Sequence, residues 1–295
     1  MSATATSRGL TASLVRGAVT SPFKRAGRPG ATLPADRLVV RDVRIAPGPL
    51  ASYSRICGFS ESGPLPLTYP HVLGFPLAMR LMTGRSFPLP VAGLVHTWIE
   101  ITRHRAPHLT EAIELTVYAD ELSPHRRGTE VTMATEARSG GELVWESRSG
   151  YLSRHSTRGA SPAAEAGLPA LPALPALPVA ELPAVAEWRL PGDLGRRYGA
   201  VSGDRNPIHL YPLTARLFGF PRAIAHGMWT VARCLAESAE PGRISYVRAD
   251  FRAPVLLPAT VTYAVDGAGT AFQLRSGGRV HLTGSTARDG AQPRS

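Results

Sequence analysis

The chain has 295 residues, 43% of them hydrophobic, which is enough for one large soluble domain or two of ordinary size. Its formal charge is +11, carried almost wholly by arginines, with Lys24 as the single lysine. The arginines are scattered and do not alternate with aromatic residues, which argues against nucleic-acid binding. No stretch is apolar enough to span a membrane. A basic surface would still attract an anionic substrate such as a phosphorylated pantetheine carrier.

The clearest boundary in the chain is the segment 167–178, where proline recurs at every third position. Such a run excludes a continuous helix and favours an extended spacer. The tail before the first domain has no acidic residue, which is also typical of organellar transit peptides, but we interpret it as a disordered tail of a bacterial protein. The predicted regions are a disordered tail (1–35), an N-terminal domain (36–155), a Pro/Ala/Leu linker (156–185) and a C-terminal domain (186–290).

The two halves of the chain share a short repeat. Tyr53 and Gly58 in the first half have the same spacing as Tyr198 and Gly203 in the second, with an aliphatic residue between them. An apolar segment with helical spacing follows each repeat. In the first half it comprises Val72, Leu73, residues 75–78, Leu81 and Met82, interrupted by Pro76; in the second it comprises Met228, Val231, Ala232, Leu235 and Ala239.

Strand patterns follow both helices, because apolar and polar residues alternate over short runs. We expect an α+β fold in which each half is an antiparallel sheet wrapped around a mostly buried helix. The chain would then be a fused pseudo-dimer, and a homodimer of whole chains is left open. The predicted strands are 94–102, 112–119, 129–137 and 143–152 in the first half, and 244–255, 260–265, 271–275 and 280–287 in the second.

The stretch between the repeat and the helix is longer in the second half, and it holds the densest polar cluster of the sequence: Asp204, Arg205, Asn206 and His209. Asn206 is a good helix N-cap and Pro207 suits the first helical position. Asp204 and His209 could then point into one pocket, hold a water molecule and move its protons. The alternative is an Asp and an Asn that stabilise a tight turn beside a surface histidine.

A second element, Ala225-His-Gly-Met228, begins the helix of the second half. The Gly227 amide would be unpaired within the helix and would lie at the positive end of its dipole. That position suits the polarisation of a carbonyl group, although glycine is also common at helix starts that have no function.

Other chemistries find little support in the residues. Ser202 lacks the glycine two residues before it that a hydrolase elbow requires, because Ala200 stands there. No metal-binding spacing occurs among the histidines; His104 and His108 are four apart, but they lie beside Pro107 and are interpreted as surface loop residues. Cys57 and Cys234 are expected to be buried thiols in a reducing compartment, which favours the cytoplasm.

The second-half segment 198–209 closely resembles the signature of the MaoC-like, or hydratase 2, family of hot dog proteins. Phe218-Gly-Phe220 and Ala225-His-Gly-Met228 resemble that family as well, and the combined resemblance covers about 40 residues. It implies a double hot dog fold and reversible, cofactor-free, (R)-specific addition of water to a trans-2-enoyl thioester carried by CoA or acyl carrier protein. No metal is implied.

The resemblance also implies roles for individual residues. Asp204 and His209 would activate the water as catalytic residues, with Asn206 supporting them, and the Gly227 amide would hold the thioester carbonyl. Ser202 and Met228 complete the expected substrate-binding set. Phe59 occupies the repeat position of Asp204, so the first half would be degenerate and would accommodate the acyl chain. Tyr211 departs from the family, whose members often have aspartate there.

Two alternatives to a hydratase or dehydratase remain at this point. One is a protein that binds or assembles acyl thioesters on the same fold without catalysis. The other is a thioesterase, which release of free thiol would reveal, although no separate nucleophile or carboxylate supports it.

Overall fold

The computed structural model describes Lys24 and residues 30–91, 93–155 and 181–289. Most of the predicted tail and of the predicted linker lies outside these described residues, so the four-region division stays a prediction. The described residues form helices and antiparallel strands, which confirms the expected α+β class. The strands are β1 (Arg37–Arg44), β2 (Val95–Arg103), β3 (Ala112–His125), β4 (Gly128–Ser139), β5 (Glu142–Arg154), β6 (Ala184–Leu190), β7 (Ile244–Phe251), β8 (Ala259–Val265), β9 (Ala271–Ser276) and β10 (Arg279–Arg288).

All ten described strands belong to one antiparallel sheet, in the order β1-β3-β4-β5-β2-β7-β10-β9-β8-β6. The order is symmetric about its centre, because each half contributes the same sequence of strands in opposite directions. The halves join where β2 pairs with β7, with Ile99 opposite Ala249 and Ile101 opposite Val247. These four side chains are fully buried, so the junction of the halves is part of the core. The fused pseudo-dimer therefore has a continuous sheet.

Each half places one helix against the concave side of its sheet. The helices are α1 (Pro47–Cys57), α2 (Tyr69–Met82), α3 (Leu194–Ser202), α4 (Pro207–Leu210), α5 (Pro212–Leu217) and α6 (Gly227–Ala236), and a 3₁₀ turn follows at Pro241–Arg243. The central helices are α2 and α6, and most of their residues are buried. Helix α2 continues through Pro76, although proline removes one backbone hydrogen bond of the helix.

All eight predicted strands occur in the structure, and most of their ends lie within two residues of the prediction. The strand β3 extends six residues beyond its predicted end, and β1 and β6 were not among the predicted strands. The strand predicted to reach Val255 ends at Phe251, because Pro254 has no N–H to pair and Arg252 and Ala253 both donate to the His281 carbonyl. Ala239 was placed on the central helix, but α6 ends at Ala236 and Ala239 is exposed. Its helical spacing was therefore accidental.

The short repeat corresponds to two equivalent helices, α1 and α3. Gly58 and Gly203 end them with φ of 87° and 79°, the left-handed conformation that glycine adopts without steric cost. Tyr53 and Tyr198 are buried, with ring centroids 6.2 Å apart across the interface of the halves. The repeat is thus a matched pair of helix ends at the pseudo-twofold junction.

Two further sequence expectations can be compared with the structure. Cys57 and Cys234 are both buried and unpaired, as predicted, and burial raises the pKa of the Cys57 thiol to about 12. Among the described residues, helices α1 to α6 are all too short or too polar to cross a bilayer.

Candidate active site

Asp204 lies in a tight loop between α3 and α4, and His209 lies in α4 itself. The Ser202 hydroxyl accepts a hydrogen bond from the Asp204 N–H at 3.2 Å, and Asp204 Oδ1 accepts one from the Asn206 N–H at 3.1 Å. Asn206 is the N-cap of α4, where its side chain accepts from Ile208 N, and Pro207 is the first helical residue. The predicted cap is confirmed, and the loop is ordered by its own short polar side chains.

Helix α3 supports this loop through two glycines on one face. A Cβ atom at position 195 would lie 1.9 Å from the His209 carbonyl oxygen, and one at position 199 would lie 2.7 Å from the Asp204 carbonyl oxygen. Both contacts are closer than any side chain allows, so only glycine lets α3 approach. The repeat-equivalent positions in α1 are Leu50 and Ser54, which are buried in the core. The first half therefore lacks the space that the catalytic loop requires.

His209 is held in a defined tautomer. Its Nδ1 donates to the Ile224 carbonyl at 2.8 Å, so the neutral ring presents Nε2 as a lone-pair acceptor. The imidazole is buried, and burial lowers its pKa, while the Asp204 carboxylate and the Ile224 carbonyl act in the opposite direction. The lowered pKa keeps His209 neutral near pH 7. A neutral imidazole with a free Nε2 can accept a proton.

The Ile224 carbonyl is itself fixed in place. Ile224 N donates to the Ile208 carbonyl at 3.1 Å, and its neighbours Ala223 and Ala225 bond with Leu257 N and the Val255 carbonyl at 2.7 and 2.9 Å. The segment before α6 therefore runs like a short strand between the loop and the rest of the second half. The backbone hydrogen bonds of this segment fix the Ile224 carbonyl, which in turn fixes the orientation of the His209 ring.

Asp204 lies at the edge of the pocket, with its side chain about a quarter exposed. Burial raises the pKa of the Asp204 carboxyl, and the His209 ring and the Asn206 N–H lower it in part. A carboxylate with a raised pKa and an imidazole with a lowered pKa are closer in proton affinity than the free side chains. That match favours exchange of a proton through a shared water.

His226, the N-cap of α6, links both groups, and the sequence analysis did not assign it a role. Its Nε2 donates to the Asp204 carbonyl oxygen at 2.9 Å, and its ring stacks on His209 with centroids 3.7 Å apart. The ring also contacts Tyr198, with centroids 4.9 Å apart. Burial lowers the pKa of His226 well below its usual value, and His209 lowers it further, so His226 stays neutral. His226 belongs to the Ala225–Met228 motif, but the properties of a helix start predict a role only for Gly227.

Gly227 begins α6 directly after His226, in the first turn, where backbone N–H groups have no partner within the helix. A Cβ atom at this position would lie 2.8 Å from the Phe251 ring of β7. The glycine therefore lets the start of the helix pack closely against the Phe251 ring. An anionic oxygen at this place would be stabilised by the N–H and by the helix dipole.

The remaining predicted residues lie around this centre in supporting positions. Ser202 is buried and holds the Asp204 amide, and the Asn206 side chain is occupied by the cap of α4. Met228 is partly buried and packs against the main core. The structure brings Asp204 and His209 together, with Gly227 next in the chain to His226. It places Ser202 and Asn206 behind them, where they shape the loop.

Asp204, His209 and His226 also have donor atoms within 4.8 Å of one another, a spacing that could hold a metal ion. In this tautomer His226 Nε2 carries the proton that it donates to the Asp204 carbonyl, so that nitrogen cannot coordinate a metal ion. The lone pair of the ring is on Nδ1, which is buried and has no hydrogen-bond partner among the described residues. We interpret the cluster as a proton-transfer site.

Comparison with known proteins gives a consistent assignment. The profile of the family described as "MaoC like domain" matches residues 185–278, which include Asp204, His209, His226 and Gly227. The 3-hydroxyacyl-thioester dehydratase X of Mycobacterium tuberculosis is 38% identical over 241 residues, which are 80% of this chain and 82% of that protein.

Solved structures extend the likeness to both halves. The crystal structure of HtdX of Mycobacterium tuberculosis superposes with a TM-score of 0.71 and 35% identity, covering 86% of this chain and all of that one. A protein of the same organism described as having a double hotdog fold superposes with a TM-score of 0.54 over 88% of this chain and 98% of that one, at 13% identity, and so supports the fold alone. The predicted double hot dog fold is confirmed, and this chain belongs to the MaoC-like dehydratase family.

Proposed function

We propose that this chain catalyses the reversible, (R)-specific hydration of trans-2-enoyl thioesters, and in the opposite direction the dehydration of (R)-3-hydroxyacyl thioesters. The observation that carries the proposal is the placement of the Asp204 carboxylate near His209, whose Nε2 is free, with the Gly227 amide in the helix turn directly after His226. The 38% sequence identity to a 3-hydroxyacyl-thioester dehydratase, over most of both chains, supports the same reaction class.

In the hydration direction, a water molecule lies between Asp204 and His209 and donates one hydrogen bond to each. As the water oxygen adds to C3 of the enoyl thioester, His209 Nε2 accepts one of its protons. The electron pair of the double bond moves toward the thioester oxygen, where the Gly227 N–H stabilises the enolate. The imidazolium then returns its proton to C2, which restores neutral His209. The ionised Asp204 holds the second water hydrogen and stabilises the transient imidazolium.

The same steps in reverse eliminate water from a 3-hydroxyacyl thioester. His209 removes the C2 proton and returns it to the leaving hydroxyl group, so no cofactor is required. Because one imidazole serves both atoms, both new bonds form on one face of the double bond. The (R) configuration and a CoA or acyl carrier protein thioester as substrate follow from the family resemblance and are part of the proposal. A cytoplasmic location, also proposed, rests on the two buried thiols. The four-region division of the chain and an acyl-chain role for the first half complete it.

Product analysis with the purified protein tests the reaction class. Incubation with crotonyl-CoA and longer trans-2-enoyl-CoAs is expected to deplete the enoyl absorbance and to give (R)-3-hydroxyacyl-CoA on chiral chromatography. An (S) product would contradict the stereochemical part of the proposal. Release of free CoA thiol would indicate a thioesterase instead, and binding without conversion at every chain length would indicate a non-catalytic acyl-thioester protein.

A further inference from the structure

Beside the proposed active site lies an exposed apolar surface that the reaction does not use. We define it by Tyr211, Leu213, Leu217 and Phe218, whose exposed fractions are 52%, 72%, 79% and 42%. All four belong to α5 or directly flank it, within the stretch that the second half has and the first half lacks. Exposed apolar side chains that cluster in this way mark an interaction surface more often than isolated ones do.

The outward direction of these leucines follows from the geometry of α5. Leu213 and Leu217 are four residues apart and so share one face of the helix, while Ala215 lies on the opposite face and is fully buried. The helix is tied down on that side, since the Thr214 hydroxyl donates to the Pro207 carbonyl at 2.6 Å and Phe220 N donates to the Ala215 carbonyl at 3.1 Å. A short helix with its leucines in solvent is the reverse of the usual arrangement.

The surroundings of this apolar surface are basic. Between positions 194 and 227, the one acidic residue is Asp204, which belongs to the active site. Five arginines occur in the same interval, all of them exposed, and within the described residues none of the five forms an ion pair with an acidic group. Where their side chains are held, they contact backbone carbonyls or stack on Tyr211. The five are Arg196, Arg197, Arg205, Arg216 and Arg222.

The apolar surface and the catalytic loop are connected through consecutive elements of the chain. Helix α4 places His209 inward, and α5 follows it after a single residue. Arg196 of α3 donates to the Leu210 carbonyl, and its guanidinium lies 5.1 Å from the Tyr211 ring centroid. A partner bound at the surface would therefore stand next to the segment that carries Asp204 and His209.

We propose that this surface docks an acidic, helical acyl carrier protein, which delivers the enoyl or 3-hydroxyacyl chain on its phosphopantetheine arm. The inference rests on the proposed function. Unpaired arginines complement an acidic protein surface, and the exposed leucines and Phe218 supply the apolar centre that a protein interface requires. A CoA nucleotide would use the arginines, but its polar groups would leave Leu213 and Leu217 in solvent. The observations therefore favour a protein partner over free CoA.

The test compares one acyl group on two carriers. Steady-state kinetics are measured with crotonyl-CoA and with crotonyl-loaded acyl carrier protein, for the full-length parent, the L213S/L217S double variant and R216E. L213S/L217S is expected to raise the KM for the loaded carrier protein about tenfold and to leave the crotonyl-CoA constants within about twofold. R216E is expected to raise the carrier-protein KM by a larger factor than the crotonyl-CoA KM. Matched controls on β1, at the far edge of the sheet, are V39S and R44E, whose parent residues are also exposed.

Each outcome distinguishes the docking inference from the proposed function. A parent that hydrates crotonyl-CoA but not the loaded carrier protein would overturn the docking inference and leave the hydratase proposal intact. Variants that change both KM values equally, or neither, would also overturn it. If sedimentation shows that L213S/L217S turns a dimer into a monomer while the carrier-protein KM is unchanged, a second copy of the chain covers the surface and the inference is wrong. Absence of hydration with both substrates would instead contradict the proposed function.

Discussion

At the scale of single residues, the structure separates groups that transfer protons from groups that hold them. His209 donates a hydrogen bond from Nδ1 to the Ile224 carbonyl and has its Nε2 free. His226 donates from Nε2 to the Asp204 carbonyl. Two histidines with stacked rings thus have different tasks, set by the hydrogen bond that each one makes. His226 touches both members of the pair and fits a positioning residue.

The positioning role predicts a graded effect of substitution. His226→Phe keeps a ring against His209 but removes the hydrogen bond to Asp204, and we expect kcat for crotonyl-CoA hydration to fall between about tenfold and a hundredfold. His226→Gln, whose amide can still donate, should recover part of the loss while the substrate KM stays near that of the parent. Equal kcat in the Phe and Gln variants would argue that His226 serves packing alone.

The pH dependence of catalysis follows from the two shifted groups. The working form has Asp204 ionised and His209 neutral; the Asp204 pKa lies above its usual 3.8 and the His209 pKa below its usual 6.5. Protonation of His209 should therefore begin only below its usual pH 6.5, and activity should fall with acid as His209 and Asp204 take up protons. In Asp204→Asn the attraction that supports the imidazolium is gone, so the acid limb of the residual kcat/KM should move to lower pH. An acid limb that stays at the same pH, or moves to higher pH, would contradict the assignment.

At the scale of elements, helix α3 is adapted to the catalytic loop by the absence of side chains. Gly195 and Gly199 face the His209 and Asp204 carbonyls, while the matching positions of α1 hold Leu50 and Ser54. The two equivalent helices therefore pack against different partners. Helix α3 packs against the catalytic loop through its glycines, whereas α1 packs against the core through Leu50 and Ser54.

This difference can be tested with single methyl groups. Gly195→Ala or Gly199→Ala must push the loop away, so we expect a loss of stability of about 1–3 kcal/mol. Turnover of crotonyl-CoA should fall more than tenfold even at temperatures where the variant is fully folded, because small displacements of catalytic groups are costly, up to about a hundredfold. Ala200→Ser, at an exposed position of the same helix, serves as the control. Full activity of folded Gly195→Ala would show that the loop tolerates movement.

Eight of the ten described strands were predictable from the sequence because alternation is a local signal, and the N-cap of α4 was predictable because Asn206-Pro207 is a local motif. The edge strands β1 and β6 are mostly exposed and gave no such signal. His226 escaped prediction because its partners lie 17 and 22 positions away in the chain and only folding brings them together. The outward leucines of α5 were equally hidden. Their spacing is that of a core-facing helix, and nothing local says which side faces solvent.

At the scale of the whole molecule, the first half keeps the architecture and carries its own buried polar groups. His71 of α2 contacts the Ser147 hydroxyl at 3.2 Å, and the His96 ring stacks on Tyr151 with centroids 4.6 Å apart. Burial lowers the pKa of His71 to about 4 and that of His96 to about 3, and for His96 the charge of His71 adds to the effect. Both imidazoles are therefore neutral throughout the physiological range.

Buried neutral histidines make stability depend on pH. The unfolded chain protonates them near pH 6.5, whereas the folded chain resists until about pH 4 and 3, so the unfolded state binds more protons between these values. The free energy of unfolding should fall as the pH drops below 6.5, by on the order of 2 kcal/mol for each histidine between pH 7 and pH 5. Urea titrations at the two pH values measure this, and His96→Phe should remove about half of the drop from this pair. An unchanged drop in His96→Phe would contradict the assignment.

The central claim is that Asp204 and His209, in the second half alone, carry out the chemistry. It is tested most directly by kcat/KM for crotonyl-CoA hydration in Asp204→Asn and His209→Ala, with His104→Ala as a surface histidine control. We predict a loss of about a hundredfold or more in the first two variants, with circular dichroism and unfolding midpoint close to the parent, and no change in the control. Retention of turnover within a few-fold by both folded variants would contradict the claim.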